Sequence, residues 1–208
     1  MKPILFSTPM VQAILDGRKT QTRRICTSAL ESDCDIHKSE SIGECYHNDT
    51  GWSEYENGAC RCRNTTKPKY KIGDILYVRE TWLDDGSEYG NIHYKASATA
   101  ADLEWLKSNG LKWKPSLFMP KAYARIFLKI TNIRVERLQD ISEEDAIAEG
   151  VDYCDEEKPW TCFDGTPISS YKFLWNSINK KSPEKQWEAN PYVFVYEFER
   201  VAKPEVLR

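Results

Sequence analysis

The chain has 208 residues, of which 40% are hydrophobic and 29% are charged, and these values suit a globular protein that buries a substantial core. Two classes are excluded. No run approaches the roughly 18 apolar residues that a membrane span requires, and residues 1 to 6 are too short for a signal peptide. We therefore expect a cytoplasmic protein with no membrane partner.

The formal net charge of −3 conceals an uneven distribution along the chain. Residues 27 to 60 contain eight acidic residues against Lys38 alone, so the rest of the chain carries a net positive charge. A basic body can bind a polyanion locally, and the pI of about 5.7 does not exclude a nucleic acid as partner.

The first elements are a short strand and a short helix. Residues 1 to 6 alternate in polarity and predict an edge strand; Thr8 is typical of an N-cap and Pro9 of a first helical position. The helix should end before Gly17. It should support a basic turn over residues 17 to 24, which suits an anionic or polar ligand, although a solvated turn has the same composition. The candidate binding residues of this turn are Arg18, Lys19, Thr22, Arg23 and Arg24.

Residues 27 to 66 are polar and lack periodicity, which predicts a long insertion. The count of seven cysteines is odd, and five lie between Cys26 and Cys62, which argues against a disulfide framework. The insertion is either a thiol-bearing loop or a loop held by structural zinc, although no pair has the spacing of common zinc knuckles. The candidate zinc ligands are Cys34, His37, Cys45, His47, Cys60 and Cys62.

A basic run follows the insertion between residues 61 and 71 and contains no acid. Lys69 and Lys71 can bind phosphate, and Tyr70 between them can stack a base. A solvated strand edge protected by lysines explains the same pattern.

Residues 75 to 82 alternate as a strand. Glu80 falls on the same face as Leu76 and Val78, whereas Arg79 falls on the opposite face and is a further candidate for ligand binding. A carboxylate among apolar side chains requires a cation partner or a chemical task. Glu80 is therefore either paired with Lys19 or an arginine, or catalytic.

The second half of the chain contains a second insertion and several regular elements. Residues 84 to 116 form this insertion, with a helix over Ala100–Ser108 and with Trp105 and Trp113 as packing anchors. The remaining predicted elements are a strand over 122 to 137 that bends or breaks at 131–132, a capped helix from Ser142 to Gly150, a helix over 168 to 178, and a central aromatic strand over 191 to 200.

The pattern Gly17-x-Lys19-x-x-x-x-Arg24 after an apolar helix, followed by Gly73-Asp74 before the strand with Glu80, resembles the ASCH domain of the PUA-like superfold. Residues 113–120, 138–146 and 174–179 are similar to its phage and prophage branch. The resemblance covers most of the chain except residues 27 to 66.

The resemblance implies an α+β fold, in which a small mixed β-barrel is flanked by helices and residues 1–208 form one domain with two insertions. Members of the family bind RNA or modified nucleosides. One bacterial branch is an amidohydrolase that deacetylates N4-acetylcytidine without a required cofactor, and its catalytic positions correspond here to Lys19, Thr22 and Glu80. The long insertions depart from that short enzyme and leave the substrate open.

Three function classes follow from these residues. The first is an amidohydrolase of acylated nucleosides, the second an RNA-binding module without catalysis, and the third a metal-independent ribonuclease. In the first, either Thr22 is the nucleophile, activated by a lysine, or Glu80 activates water while Lys19 stabilises the oxyanion. The histidines do not fit a catalytic triad, and no cysteine has a plausible base.

Overall fold

The computed structural model describes residues 1–26, 68–87, 90–151 and 165–204, so the insertion predicted over 27 to 66 lies entirely outside them. The strands in these ranges are β1 (Lys2–Leu5), β2 (Gln21–Ile25), β3 (Ile75–Arg79), β4 (Trp82–Asp84), β5 (Ile92–Tyr94), β6 (Phe127–Arg137) and β7 (Tyr192–Val201). The α-helices are α1 (Thr8–Leu15), α2 (Ala100–Ser108), α3 (Glu143–Ala148) and α4 (Pro167–Ile178). Short 3-10 helices cover Lys95–Ser97, Ser116–Phe118, Lys121–Tyr123, Leu138–Asp140, Pro183–Lys185 and Trp187–Ala189.

Five strands are hydrogen-bonded in the order β1-β3-β6-β7-β2, and β4 and β5 form a separate two-stranded sheet. β1 runs parallel to β3, whereas β3 is antiparallel to β6 and β2 is antiparallel to β7. The fold class is therefore α+β, as expected. The described ranges contain no closed barrel, since β1 and β2 are the outer strands of the larger sheet.

The chain divides into two compact units. The first unit comprises Met1–Thr20, Ile72–Thr131 and Phe198–Arg208, and the second comprises Gln21–Lys71 and Asn132–Glu197. A core cluster of the first unit contains Tyr77, Trp82, Met119, Ala124 and Phe127. A core cluster of the second unit packs α3 and α4 with β7 and contains Leu138, Ile141, Ala146, Val151, Tyr171, Trp175, Trp187, Val193 and Val195.

Several local predictions are confirmed. The edge strand β1, the helix α2 at Ala100–Ser108, the Ser142 cap of α3 and the central position of β7 are all present. The Thr99 and Ser142 side chains accept hydrogen bonds from the third residues of their helices. Residues next to α2 and α3 in the sequence therefore determine where these helices begin.

Other local predictions are wrong in their details. The N-cap of α1 is Ser7 rather than Thr8. The strand predicted over 75 to 82 divides at Glu80 and Thr81, and its last part pairs in the separate sheet. β6 continues through residues 131 and 132, where two successive side chains are exposed. Trp105 is exposed rather than a buried packing anchor.

No helix in the described part of the chain combines the length and the apolar character needed to span a membrane.

Gly17 lies just beyond α1 with φ of +78°, which is the left-handed region. We expect Gly17→Ala to lower the free energy of unfolding by about 1–2 kcal/mol, because alanine is strained in this conformation even where space is open. Gly17→Asn should lose less, since asparagine tolerates the conformation better. Urea denaturation measures both, and an alanine variant as stable as the wild type would contradict the expectation.

Candidate functional site

Lys19 is held by the exit from α1. Its backbone N–H donates to the Ala13 carbonyl at 3.0 Å, and the left-handed Gly17 reverses the chain before it. The residue is only 2% exposed, and its Nζ lies 5.5 Å from the centroid of the Phe6 ring. This lysine is therefore part of the interior of the first unit rather than of a solvated turn.

Glu80 follows the last residue of β3 and is 1% exposed. In the parallel register Leu5 lies beside Arg79, and the next residue, Phe6, donates its N–H to the Arg79 carbonyl at 3.3 Å. Phe6 thus contacts the Lys19 ammonium with its ring and the chain next to Glu80 with its backbone. Phe6 therefore connects Lys19 with the residue that precedes Glu80.

The Glu80 carboxylate is bound by Arg125. Arg125 Nε donates to Oε1 and Nη2 donates to Oε2, each at 2.9 Å, which is the bidentate geometry of a strong ion pair. The Glu80 N–H also donates to Met119 Sδ at 3.3 Å. Of the two cation partners considered for Glu80, the described contacts identify an arginine. Its oxygens retain lone pairs beyond these two bonds, so the pairing leaves room for a chemical role.

Arg125 connects this buried carboxylate with the surface, because its side chain is 28% exposed. Its Cζ lies 4.1 Å from the centroid of the Tyr94 ring, well within cation–π distance. The Tyr94 hydroxyl donates to the Tyr123 carbonyl at 2.7 Å, and burial raises the Tyr94 pKa above its usual value. The ring under Arg125 is therefore neutral and fixed in position at physiological pH.

Arg79 is half-buried next to Glu80. Its Nη1 donates to the Leu117 carbonyl at 3.1 Å, and its Cζ lies 5.7 Å from the Tyr77 ring centroid. Its Nε is buried and has no hydrogen-bond acceptor within the described ranges. Because this nitrogen is buried, it does not by itself support the predicted contact of Arg79 with a ligand.

Thr22 and Arg23 belong to the second unit and lie on β2 rather than in a turn. Both are buried, and Thr22 lies opposite Tyr196 of β7. The Arg23 side chain is fully buried and donates to Glu136, Asp145 and Glu149, with its Cζ 5.8 Å from the Tyr171 ring centroid. This burial favours a structural role for Arg23 over the predicted contact with a ligand.

The Asp145 carboxylate beside Arg23 remains ionised at neutral pH. Burial opposes the charge of Asp145, but hydrogen bonds from Arg134 and the charge of Arg23 outweigh it and lower the Asp145 pKa below 3.8. A depressed carboxyl pKa stabilises the fold above that value, and the contribution is lost as the pH falls through the folded pKa. Desolvation, with Glu149 next in size, raises the Tyr171 pKa well above its usual value.

The remaining predicted binding residues are distributed differently. Arg18 is exposed and pairs with Asp16 at 3.3 Å, and Arg24 is half-buried on β2. Tyr70 is buried and packs edge-on against Tyr196 with 5.1 Å between ring centroids, so its ring already has a partner. The side chains of Lys69 and Lys71 are exposed, and Lys69 Nζ lies 5.4 Å from the Tyr70 ring centroid.

The predicted zinc ligands Cys34, His37, Cys45, His47, Cys60 and Cys62 lie outside the described residues, and zinc at that loop stays a prediction. Within the described ranges, no group of three histidine, cysteine, aspartate or glutamate residues is arranged to hold a metal. Burial raises the pKa of the Cys26 thiol to about 12, so this cysteine is a poor nucleophile at neutral pH.

Sequence reasoning missed the most informative partner, Arg125, because it is 45 residues from Glu80. One signal was available: Arg125 lies between Ala124 and Ile126 in an apolar stretch, where a cation also requires a partner. Similarly, Asp145 and Glu149 are four residues apart on and just beyond α3, a spacing that places two acids on one helix face and indicates a cation opposite.

Removing Arg23 should destabilise the second unit strongly. We expect Arg23→Ala to lower the free energy of unfolding by about 3–5 kcal/mol, because it leaves buried carboxylates without their cation. Arg18→Ala is the matched control, and loss of its exposed pair should cost less than about 1 kcal/mol. Denaturant unfolding of both variants measures the difference, and equal losses would contradict the structural role of Arg23.

The pairing of Glu80 with Arg125 can be measured by a double-mutant cycle. We expect Glu80→Gln and Arg125→Gln to be non-additive in the free energy of unfolding by about 1–3 kcal/mol, since each single change leaves one member of the pair uncompensated. Additive effects would show that the two side chains do not interact in solution.

Comparisons with protein-family models, with curated proteins and with solved structures each found no match to this chain. The resemblance to the ASCH domain therefore stays a prediction from the residues quoted above.

Proposed function

We propose that the protein binds RNA or a modified nucleoside at the first-unit residues Lys19, Glu80 and Arg125, and that it hydrolyses the amide of N4-acetylcytidine-like substrates. The PUA-like ASCH fold is part of this proposal. One observation carries it: a lysine and a glutamate, each at most 2% exposed, belong to one unit in which Phe6 contacts the lysine and the residue before the glutamate, and a partly exposed arginine binds the glutamate. Buried ionisable groups of opposite sign are typical of sites that perform proton transfer.

In the simplest mechanism, Glu80 is the general base. Its carboxylate accepts a proton from water, whose oxygen attacks the acetyl carbon. The Lys19 ammonium stabilises the oxyanion, which low local polarity strengthens. The C–N bond then breaks, the proton passes from Glu80 to the leaving exocyclic nitrogen, and acetate and cytidine are the products.

Arg125 acts as a positioning residue in this mechanism. Two donors fix the plane of the Glu80 carboxylate, and contact with Tyr94 fixes the guanidinium. A base held in one orientation needs little reorganisation when substrate arrives. Because Arg125 is partly exposed, it also offers a cation to the polar groups of a nucleoside.

The alternative mechanism uses the Thr22 hydroxyl as nucleophile and a lysine as its activator. It forms an acetyl ester on Thr22 and releases cytidine before water releases acetate. Thr22→Ser and Thr22→Val distinguish the two routes. Thr22→Ser keeps a hydroxyl and should retain turnover by either route, whereas Thr22→Val should be active only if water attacks directly.

The test is hydrolysis of N4-acetylcytidine by the purified chain, followed by chromatography of cytidine. We expect wild-type turnover, and we expect Lys19→Met and Glu80→Gln to lower kcat/KM by about 10²–10⁴, the usual contribution of a catalytic acid, base or oxyanion donor. Arg18→Ala is the matched control, because it removes an exposed cation from the same segment.

Thermal unfolding of the same variants separates chemistry from folding. Loss of turnover at a temperature at which the variants remain folded supports the proposal. A large fall in Tm, with no wild-type turnover on any acylated nucleoside, would show that the two charges serve only the fold. Fragments from a labelled RNA incubated with the protein and EDTA would instead favour the hypothesis of a metal-independent ribonuclease.

A further inference from the structure

Beside the candidate site, the chain contains a long segment without negative charge. From Trp105 to Val135 the sequence has seven lysines and arginines and no aspartate or glutamate. The part of this segment that contacts the Glu80 region lies between Lys114 and Arg125, within the first unit. Its charge is complementary to a polyanion.

The tip of this segment exposes two apolar side chains. Leu117 is 56% exposed and Phe118 is 68% exposed, on a 3-10 turn over Ser116–Phe118 that Pro115 and Pro120 flank. The Phe118 N–H donates to the Pro115 carbonyl at 3.1 Å, so the turn is held in one conformation. An exposed ring on such a turn, between cations in the sequence, is typical of surfaces that stack nucleobases.

Three contacts tie this tip to the candidate site. Arg79 donates to the Leu117 carbonyl, the Glu80 N–H donates to Met119 Sδ, and Arg125 binds the Glu80 carboxylate. The segment from Leu117 to Arg125 therefore contacts Arg79 and Glu80 at three points. Arg79 also has the unpaired Nε described above, which is directed to no acceptor in the described ranges.

The small β4–β5 sheet shows which aromatic residues belong to this region. Trp82 pairs with Tyr94, so their side chains share a face, and Lys114 Nζ lies 4.7 Å from the Trp82 ring centroid. His93 pairs with Leu83 on the opposite face and contacts Trp105, at 5.7 Å between ring centroids. Trp105 therefore contacts the face of this sheet opposite to Trp82 and Tyr94, so it does not belong with the residues near Arg125. Lys114 contacts Trp82 and Arg125 contacts Tyr94, which places both cations on the same face.

We infer that Lys114, Leu117, Phe118 and Lys121, here termed the Phe118 surface, bind the nucleotides that flank the target nucleoside, so that the substrate is a single strand of RNA. This inference rests on the proposed function and names its substrate class. A base stacks on Phe118 and the lysines contact phosphates. A protein partner fits less well, because a stable protein interface buries roughly 800 Å² on each side, far more than two exposed side chains provide.

The test is fluorescence anisotropy of an end-labelled, unmodified ten-nucleotide RNA with the full chain. Phe118→Ser should raise the dissociation constant about tenfold, because it removes one stacked base, whereas Phe118→Tyr should bind like the wild type. Phe173→Ser is the matched control, since Phe173 is an equally exposed phenylalanine, at 69%, in the other unit. It should leave binding unchanged.

The salt dependence tests the lysines. If Lys114 and Lys121 each contact one phosphate, the change of both to glutamine should lower the slope of log Kd against log salt by about 1.4. An unchanged slope overturns the phosphate contacts. Equal affinity of wild type and Phe118→Ser, or no binding of the RNA by wild type, overturns the inference as a whole.

Failure of this inference can be told from failure of the proposed function. Turnover of free N4-acetylcytidine without RNA binding would overturn the flanking contacts and leave the hydrolase standing. RNA binding that depends on Phe118, without turnover of any acylated nucleoside, would support the surface and overturn the catalytic part of the proposal.

Discussion

The pair between Glu80 and Arg125 is the constraint on which the first unit depends. A carboxylate at 1% exposure is costly without compensation, and two bonds of 2.9 Å from one guanidinium provide it. The pair also joins the end of β3 to the segment before β6, and its arginine contacts β5 through Tyr94. The pair thus places a carboxylate in the interior, next to a partly exposed cation.

The second unit uses buried charge differently. Arg23 is enclosed by Glu136, Asp145 and Glu149 and is fully buried, so its hydrogen-bonding capacity is used within the fold. Arg125 has one carboxylate partner and remains partly exposed. This contrast separates a cation that holds elements together from one that can also meet a ligand. It is the reason why Arg125, rather than Arg23, enters the proposed site.

Local signals in the sequence predicted much of the fold. The cap at Ser142 identified α3, and the aromatic content of β7 indicated a central strand. Non-local pairing was not readable in the same way. The basic segment after Gly17 becomes β2 because it pairs with β7. The strand predicted over 75 to 82 divides because Trp82 pairs with Tyr94 in a separate sheet.

The site was predicted in part for the same reason. The burial of Glu80 followed from the period of its strand, but its partner lies 45 residues away, and no local pattern connects the two. Arg23 resembled its neighbours Arg18 and Arg24 in sequence, and nothing local indicated that it meets three carboxylates from other elements. Residue type therefore indicated which charged side chains need a partner when they are buried, but it did not indicate which residue provides that partner.

The central claim is that water, activated beside Lys19 and Glu80, attacks the acyl carbon of a modified nucleoside. Hydrolysis of N4-acetylcytidine by Thr22→Val in water enriched in oxygen-18 tests it most directly, with mass spectrometry of both products. We expect one labelled oxygen in acetate and unlabelled cytidine. Labelled uridine with acetamide would show attack on the ring carbon, and the absence of any product would show no hydrolysis; either result contradicts the claim.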